Sequence, residues 1–303
     1  MFRPLLSPNN DPLNTPTFFD DLTFPLLASY KFDGIRGIGK DGVLKSRNYK
    51  DIPSAQAQEM FSKCQEMDGE LICGSPVAED VYNTAQSYIM SGVNQKVHPD
   101  LKFYVFDWAE ESKAHWPFKA RYSYLHQKWL ELNDPQVKLV YQKEILDLEQ
   151  LFVYEEKALE SGFEGLMLRN YEGVYKHNRA TYKEWIIKKL KRPVDEEGLI
   201  VGFEEGFTNN NPKIDNELGF AKRTSHQENK VLAGTLGKFL VLFKGQVIKV
   251  GPGSFKHDER QEIWDNQFKY LNTWLRFRHF PIGAKDMPRQ PRAKGFWSPE
   301  HAS

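Results

Sequence analysis

Apolar and polar residues follow two regimes along this chain, and the regimes meet near Arg192-Pro193-Val194-Asp195. Before that point, strand-like runs are interleaved with amphipathic helical stretches. After it, the chain is mostly short strands separated by loops rich in Asn, Gly and Lys. Residues 1–28 are rich in Pro, Asn and Asp and read as an extended lead-in. Out of it P-L-L-A-S-Y, 25–30, enters as a strand that ends directly at Lys31. G-I-G and D-G-V-L-K-S-R, within 37–47, predict a hairpin turning at Asp41-Gly42. Residues 54–67 predict a helix capped by Ser54. Asp68-Gly69 is its expected stop, and E-L-I-C, 70–73, a short apolar strand. L-K-F-Y-V-F-D-W, 101–108, is the clearest strand, with aromatic and β-branched residues at its centre. Helical periods cover 119–132, 147–161 and 258–276. F-E-G-L-M-L-R, 163–169, and E-W-I-I-K-K-L-K, 184–191, predict strands. So do G-L-I-V-G-F, G-K-F-L-V-L-F and Q-V-I-K-V-G beyond the boundary. The pattern predicts an α+β chain with domains at 1–192 and 193–303, the second suited to a small β-barrel.

Composition narrows the class. Hydrophobic residues are 40% and charged residues 27% of 303, which excludes a disordered or collagen-like chain. No stretch approaches the roughly 18 apolar residues of a membrane helix. The amino terminus lacks the apolar core of a signal peptide. Cys64 and Cys73 are the only cysteines and are not in C-x-x-C, so a disulfide scaffold and a four-cysteine zinc site are excluded. A reducing cytoplasm is the expected setting.

Lys+Arg and Asp+Glu are both 41, giving zero net charge, yet the charge is clustered. Residues 176–192 hold seven Lys/Arg against Glu184, and residues 268–296 hold seven against Asp286, so each window is +6. Clustering without net charge points to a local polyanion site, or to two solvated faces.

The sharpest chemical feature is K-F-D-G-I-R, 31–36, at a strand end. Asp33 and Gly34 allow a tight turn after Lys31. A lysine attacks only as the neutral amine, so neighbouring cations such as Arg36 and the 176–192 cluster would serve a nucleophile there. A turn carrying an exposed lysine satisfies the same residues. Lys189 and Lys191 share one face of their strand, and Lys188 points to the other.

K-F-D-G-I-R resembles the first motif of the covalent nucleotidyltransferases: ATP-dependent DNA ligases, RNA ligases and mRNA capping enzymes. Further stretches resemble the later motifs in family order: S-R-N, 46–48; D-G-E-L, 68–71; F-Y-V-F-D, 103–107; E-G-L-M-L-R, 164–169; and W-I-I-K-K-L-K, 185–191. The resemblance implies a nucleotidyltransferase (ATP-grasp-like) domain of antiparallel sheets with helices, followed by an OB-fold. It implies Lys31 as the residue that takes AMP from ATP. Arg47 and Glu70 fall on the motif positions that bind the nucleotide, Glu70 reading the ribose. Phe106 stacks on the base, with Tyr104 in reserve. Glu164 is a metal-linked carboxylate, and Lys189 and Lys191 contact phosphate. Arg36, with that pair, would neutralise phosphate oxygens. Glu70 and Glu164 would hold Mg²⁺, or Mn²⁺. Base identity would be read beside Ala28 and Ser29.

The carboxy-terminal half favours one branch. V-I-K-V-G-P-G-S-F, 247–255, the tail over 280–296 and the opening P-L-L-S-P-N-N-D-P resemble small phage and viral DNA ligases. That branch implies a monomer that wraps nicked duplex DNA with both domains, in the host cytoplasm if phage-encoded. It lacks the separate amino-terminal DNA-binding domain of larger ligases. The loop over 220–230 is a candidate DNA clamp or a plain hairpin tip. One departure stands out: Trp297 and Ser298 occupy the place where the last motif has basic residues, leaving Arg292 or Lys294 to serve. The alternatives are an RNA ligase, a capping guanylyltransferase, or an OB-type nucleic-acid binder without catalysis.

Overall fold

The computed structural model describes residues 2–10, 12, 15–78, 80–91, 96–209, 213–215, 221–223, 230–280 and 288–297. It divides into two compact units, Met1–Arg192 and Pro193–Ser303.

The first unit begins with β1 (Leu26–Tyr30) and the hairpin of β2 (Ile35–Lys40) and β3 (Val43–Ser46). Asp41 and Gly42 take φ of 55° and 77°, the left-handed pair that a two-residue hairpin needs. In α1 (Ala55–Phe61), the Ser54 side chain accepts a hydrogen bond from the Ala57 N–H. The helix stops short of the expected 67. The chain turns through Glu66, at φ 65°, into β4 (Met67–Cys73). Asp68-Gly69 therefore lies inside a strand instead of stopping a helix. The turn signal is overridden because Asp68 is wholly buried and engaged by Arg36.

Next comes α2 (Val81–Ile89), which its polar composition concealed and which buries Val81, Ala85 and Ile89 one turn apart. It is followed by β5 (Leu101–Trp108), α3 (Phe118–Leu132), β6 (Val137–Leu139), β7 (Lys143–Ile145), α4 (Leu148–Glu160), β8 (Leu166–Asn170) and β9 (Ile187–Leu190). No helix among the described residues is long and apolar enough to cross a membrane.

These strands form two sheets, ordered β7-β1-β8-β9 and β3-β2-β4-β5-β6. Only the β5–β6 pair is parallel. The chain passes from the first sheet to the second in the four residues between β1 and β2, and Lys31 is the first of them. α1, α2 and α3 cover the second sheet over Leu44, Phe61, Leu71, Phe103 and Leu125. α4 covers the first over Leu26, Leu151, Ala158 and Leu168. The lead-in is not merely extended: Phe18 and Leu22 complete that core. Phe2 and Leu5 join Ile38 of β2 and Ile187 of β9 in a cluster that ties the sheets together.

Two buried carboxylates reinforce the tie. Asp68 of β4 and Asp107 of β5 are register partners, both wholly buried. Asp107 accepts from Arg121 Nε at 2.9 Å and Nη2 at 3.2 Å, and pairs with Arg169 of the other sheet at 3.1 Å. Asp68 accepts from Arg36 Nε at 2.5 Å and Nη2 at 2.6 Å, and from the Tyr175 hydroxyl at 2.6 Å.

The second unit holds β10 (Val194–Asn209), β11 (Lys213–Asp215), β12 (Ala221–Arg223), β13 (Lys230–Phe243), β14 (Gln246–Val250), α5 (His257–Asp265), α6 (Gln267–Tyr270), β15 (Trp274–Phe280) and β16 (Arg289–Trp297). Five strands run in the order β14-β13-β10-β15-β16, every pair antiparallel. A bridge between Gly251 and Arg292 joins the open edges, so the sheet closes around Ile200, Phe239, Val241, Leu275 and Phe277. Ile263 of α5 plugs this core. The helix expected over 258–276 ends at Tyr270. Trp274 onward is strand, because Leu275 and Phe277 alternate into the barrel core. Most of the loop over 220–230 lies outside the described residues, as do 281–287 and Ser298.

Replacing Asp107 with alanine would leave two buried guanidiniums without their carboxylate. Removing one partner of such a network costs about 3–5 kcal/mol. We expect Asp107→Ala to lower the unfolding free energy of the first unit by that amount, measured by urea titration followed by circular dichroism, and Asp107→Asn to cost less.

Candidate active site

Strand register assembles the site. Tyr30, Leu166 and Leu190 stand side by side on β1, β8 and β9. One step further, Lys31, Gly165 and Lys191 must therefore be neighbours, with Glu164 beyond. The Lys31 N–H donates to the Gly165 carbonyl at 3.0 Å, extending the ladder past the strand. Gly165 has φ 139°, and a Cβ there would sit 2.2 Å from the Leu190 oxygen, so only glycine allows this approach. The Glu164 carboxylate is held between two ammoniums: Oε2 lies 2.8 Å from Lys31 Nζ and 2.7 Å from Lys191 Nζ. All three side chains are largely buried, at 19%, 6% and 12% exposure for Lys31, Glu164 and Lys191.

The second sheet supplies the facing groups. Glu70 of β4 lies opposite Arg36 of β2, and its Oε1 accepts from the Gly34 N–H at 3.2 Å. A Cβ at Gly34 would meet the Leu71 oxygen at 2.2 Å, so the turn after Lys31 also requires glycine. Burial pushes the Glu70 carboxyl up to about 7, against the pull of Arg36 and Lys31. Phe106 sits where the β4–β5 register skips a residue, between Val105 opposite Gly69 and Asp107 opposite Asp68. Such a bulge re-aims a side chain. The Arg36 guanidinium lies over the Phe106 ring, 4.6 Å from its centroid. Tyr104, by contrast, is taken by Phe32 at 4.7 Å.

The remaining candidates fall around the same seam. Ser29 is buried on β1 opposite Met167, on the face that leads to Lys31. Lys189 also pairs with Met167 from the other side and is partly exposed. Arg47 is in the exposed turn after β3. Its guanidinium titrates below the usual arginine range because it is partly desolvated and lies near the cations Arg179 and Arg36. Lys188 faces away: it is 1% exposed, 4.1 Å from the Tyr182 ring centroid and 4.9 Å from that of Trp185.

The structure changes the picture of the charge clusters. Lys176 pairs with Glu184, Arg192 with Glu155, and Lys191 with Glu164. In the second unit Arg278 pairs with Asp195 at 2.6 Å, and Lys269 with Glu262 at 3.0 Å. Among the described residues, each window is thus partly compensated by acids that its basic side chains meet. Arg36, expected to face phosphate, spends two nitrogens on Asp68. The sequence pattern assigns no role to Asp68, Asp107, Arg169 and Tyr175. The signal was present in the charged residues embedded in apolar strands, which must find buried partners.

The model of the ATP-dependent DNA ligase domain matches residues 14–191, more than half of the chain. This chain belongs to that family. A DNA ligase of African swine fever virus is 26% identical over 207 residues, covering 63% of this chain. The match spans 47% of that viral ligase, so this chain aligns with about half its length. Among solved structures, a Chlorella virus DNA ligase-adenylate is 26% identical with a TM-score of 0.54, over 98% of each chain. A Lig E DNA ligase at 22% identity and TM-score 0.67 shares the fold over 90% of this chain and 93% of its own.

Because the Glu70 carboxyl is raised from 4.5 to about 7 on folding, the folded chain binds more protons than the unfolded chain between those values. Stability therefore falls as pH rises through that window. We expect Glu70→Gln to remove roughly 1–3 kcal/mol of this decline, read as a smaller difference between urea unfolding at pH 5 and at pH 7.5.

Proposed function

We propose that this chain is an ATP-dependent DNA ligase that seals 5′-phosphate/3′-hydroxyl nicks in duplex DNA through a lysyl-AMP intermediate on Lys31. The carrying observation is the Lys31–Glu164–Lys191 constellation at the ends of three adjacent strands. Lys31 Nζ attacks the α-phosphorus of ATP, a P–N bond forms, and pyrophosphate leaves. AMP then passes to the 5′-phosphate at a nick. Finally the 3′-hydroxyl attacks that phosphate and AMP departs.

Each residue has work that its position supports. Glu164 orients the Lys31 amine and stands where it can receive its proton. Lys189 and Lys191 neutralise phosphate oxygens, since positioning and charge dominate phosphoryl transfer. Phe106 offers a stacking face to the base, and Arg36 holds that ring. Glu70 binds the ribose, Arg47 lies beside it, and backbone groups at Ala28 and Ser29 contact the base edge. Glu70 and Glu164 would hold Mg²⁺, or Mn²⁺, together with phosphate oxygens and water. Two carboxylates suit an ion that commonly binds through one or two acidic side chains and a nucleotide. When bound, the ion shields the charge of the leaving pyrophosphate.

The second unit reads as an OB-fold, supported by its closed five-strand antiparallel sheet and plugging helix. A monomer wrapping nicked duplex DNA with both domains is the arrangement we infer. Affinity for phosphates would make binding salt-dependent and sequence-independent, as a nick sealer requires.

Intact mass after incubation with Mg²⁺ and either ATP or GTP, following removal of carried-over AMP by pyrophosphate, tests the first step. We expect an AMP adduct with ATP alone, its absence in a folded Lys31→Ala, and sealing of nicked DNA. A GMP adduct would move the chain to capping chemistry, and no adduct would leave only nucleic-acid binding.

A further inference from the structure

Phe106 occupies a weak point of its sheet. The β4–β5 ladder skips it, so no register partner fixes the backbone beneath its ring. What lies against the ring is the flat guanidinium of Arg36. That plane is set by two parallel hydrogen bonds to Asp68, a geometry that fixes orientation as well as distance. Asp68 is itself half of the bulge. Its Oδ2 accepts a second donor, the hydroxyl of Tyr175, at 2.6 Å. Tyr175 comes from the segment between β8 and β9, so this bond reaches Asp68 from outside its own sheet.

Tyr175 is firmly held. It is 2% exposed, and its N–H donates to the Ala114 carbonyl at 2.8 Å. Its ring lies 6.0 Å from that of Phe2 and 5.5 Å from the Arg121 guanidinium. Burial, then Asp68, keep the phenol protonated and donating. The reacting groups form a separate constellation, in which Lys31 and Lys191 both pair with Glu164.

We propose that Tyr175 is a positioning residue for nucleotide binding: through Asp68 and Arg36 it fixes the Phe106 ring on which the purine of ATP stacks. This rests on the ligase reading above. The relay runs from a pinned hydroxyl, to a carboxylate, to a planar cation, to an unsupported aromatic ring. Loss of the hydroxyl leaves Asp68 with one donor fewer and lets the guanidinium plane tilt. The consequence falls on the base, not on the phosphates that Lys189 and Lys191 meet.

The test is Tyr175→Phe in the full chain, assayed for lysyl-AMP formation from ATP and for its reversal by pyrophosphate. One net hydrogen bond corresponds to about tenfold in affinity. We expect KM for ATP to rise about five- to twentyfold, kcat to change less than about twofold, and KM for pyrophosphate to stay unchanged. In a Phe106→Leu background the same substitution should add little, because coupled residues are not additive. An unchanged KM for ATP, a parallel rise in both KM values, or full additivity with Phe106→Leu would overturn the positioning role. Should Tyr175→Phe not fold, 4-fluorophenylalanine at position 175 fills the space of the hydroxyl without donating to Asp68, and carries the same expectations. Wild-type protein that takes no AMP would overturn the ligase reading and this inference with it. Wild-type labelling with the wrong variant pattern overturns this inference alone.

Discussion

The first unit depends on two carboxylates buried side by side. Asp68 and Asp107 are register partners on neighbouring strands, and neither is exposed. Two adjacent anions out of water are tenable only with charge-assisted partners on every side. Arg36, Arg121 and Arg169 supply them, with the Tyr175 hydroxyl as a fourth donor. Arg169 comes from β8, in the other sheet. The network therefore adds a polar tie between the two sheets, since Arg169 of β8 pairs with Asp107 of β5.

The seam so fixed is where the candidate chemistry lies. β1 ends at the seam and delivers Lys31. The ends of β8 and β9 bring Glu164 and Lys191 to it, and β4 and β5 face it with Glu70 and Phe106. Two glycines make the approach possible. Gly34 lets β2 close on Leu71, and Gly165 lets β8 close on Leu190. The raised carboxyl of Glu70 and the shared carboxylate of Glu164 come from the same cause, a site largely withdrawn from water but lined with opposed charges.

The second unit reaches stability by other means. Its core is apolar and its sheet closes on itself, so its edges are removed instead of guarded. Arg278 of β15 pairs with Asp195, its register partner on the neighbouring strand β10.

Local chemistry was legible in the sequence by itself. Asp41-Gly42 forms its hairpin because few other pairs tolerate two left-handed residues. α3 and α4 follow their apolar period, and Ser54 caps α1. The order of motifs identified the family. Lys188 was separable from Lys189 because alternate strand residues face opposite sides. What the sequence misstated depends on contacts between distant residues. Asp68-Gly69 looks like a stop until Arg36 and Tyr175 are brought to it, and Trp274 looks helical until the barrel needs a strand. Arg36 looks free for phosphate until its partner is known. A charge in an apolar strand announces that a partner exists, but the sequence does not say which. Only tertiary structure decides that choice, because the energy of a buried ion pair is set by distance, orientation and exclusion of water, none of which one residue carries.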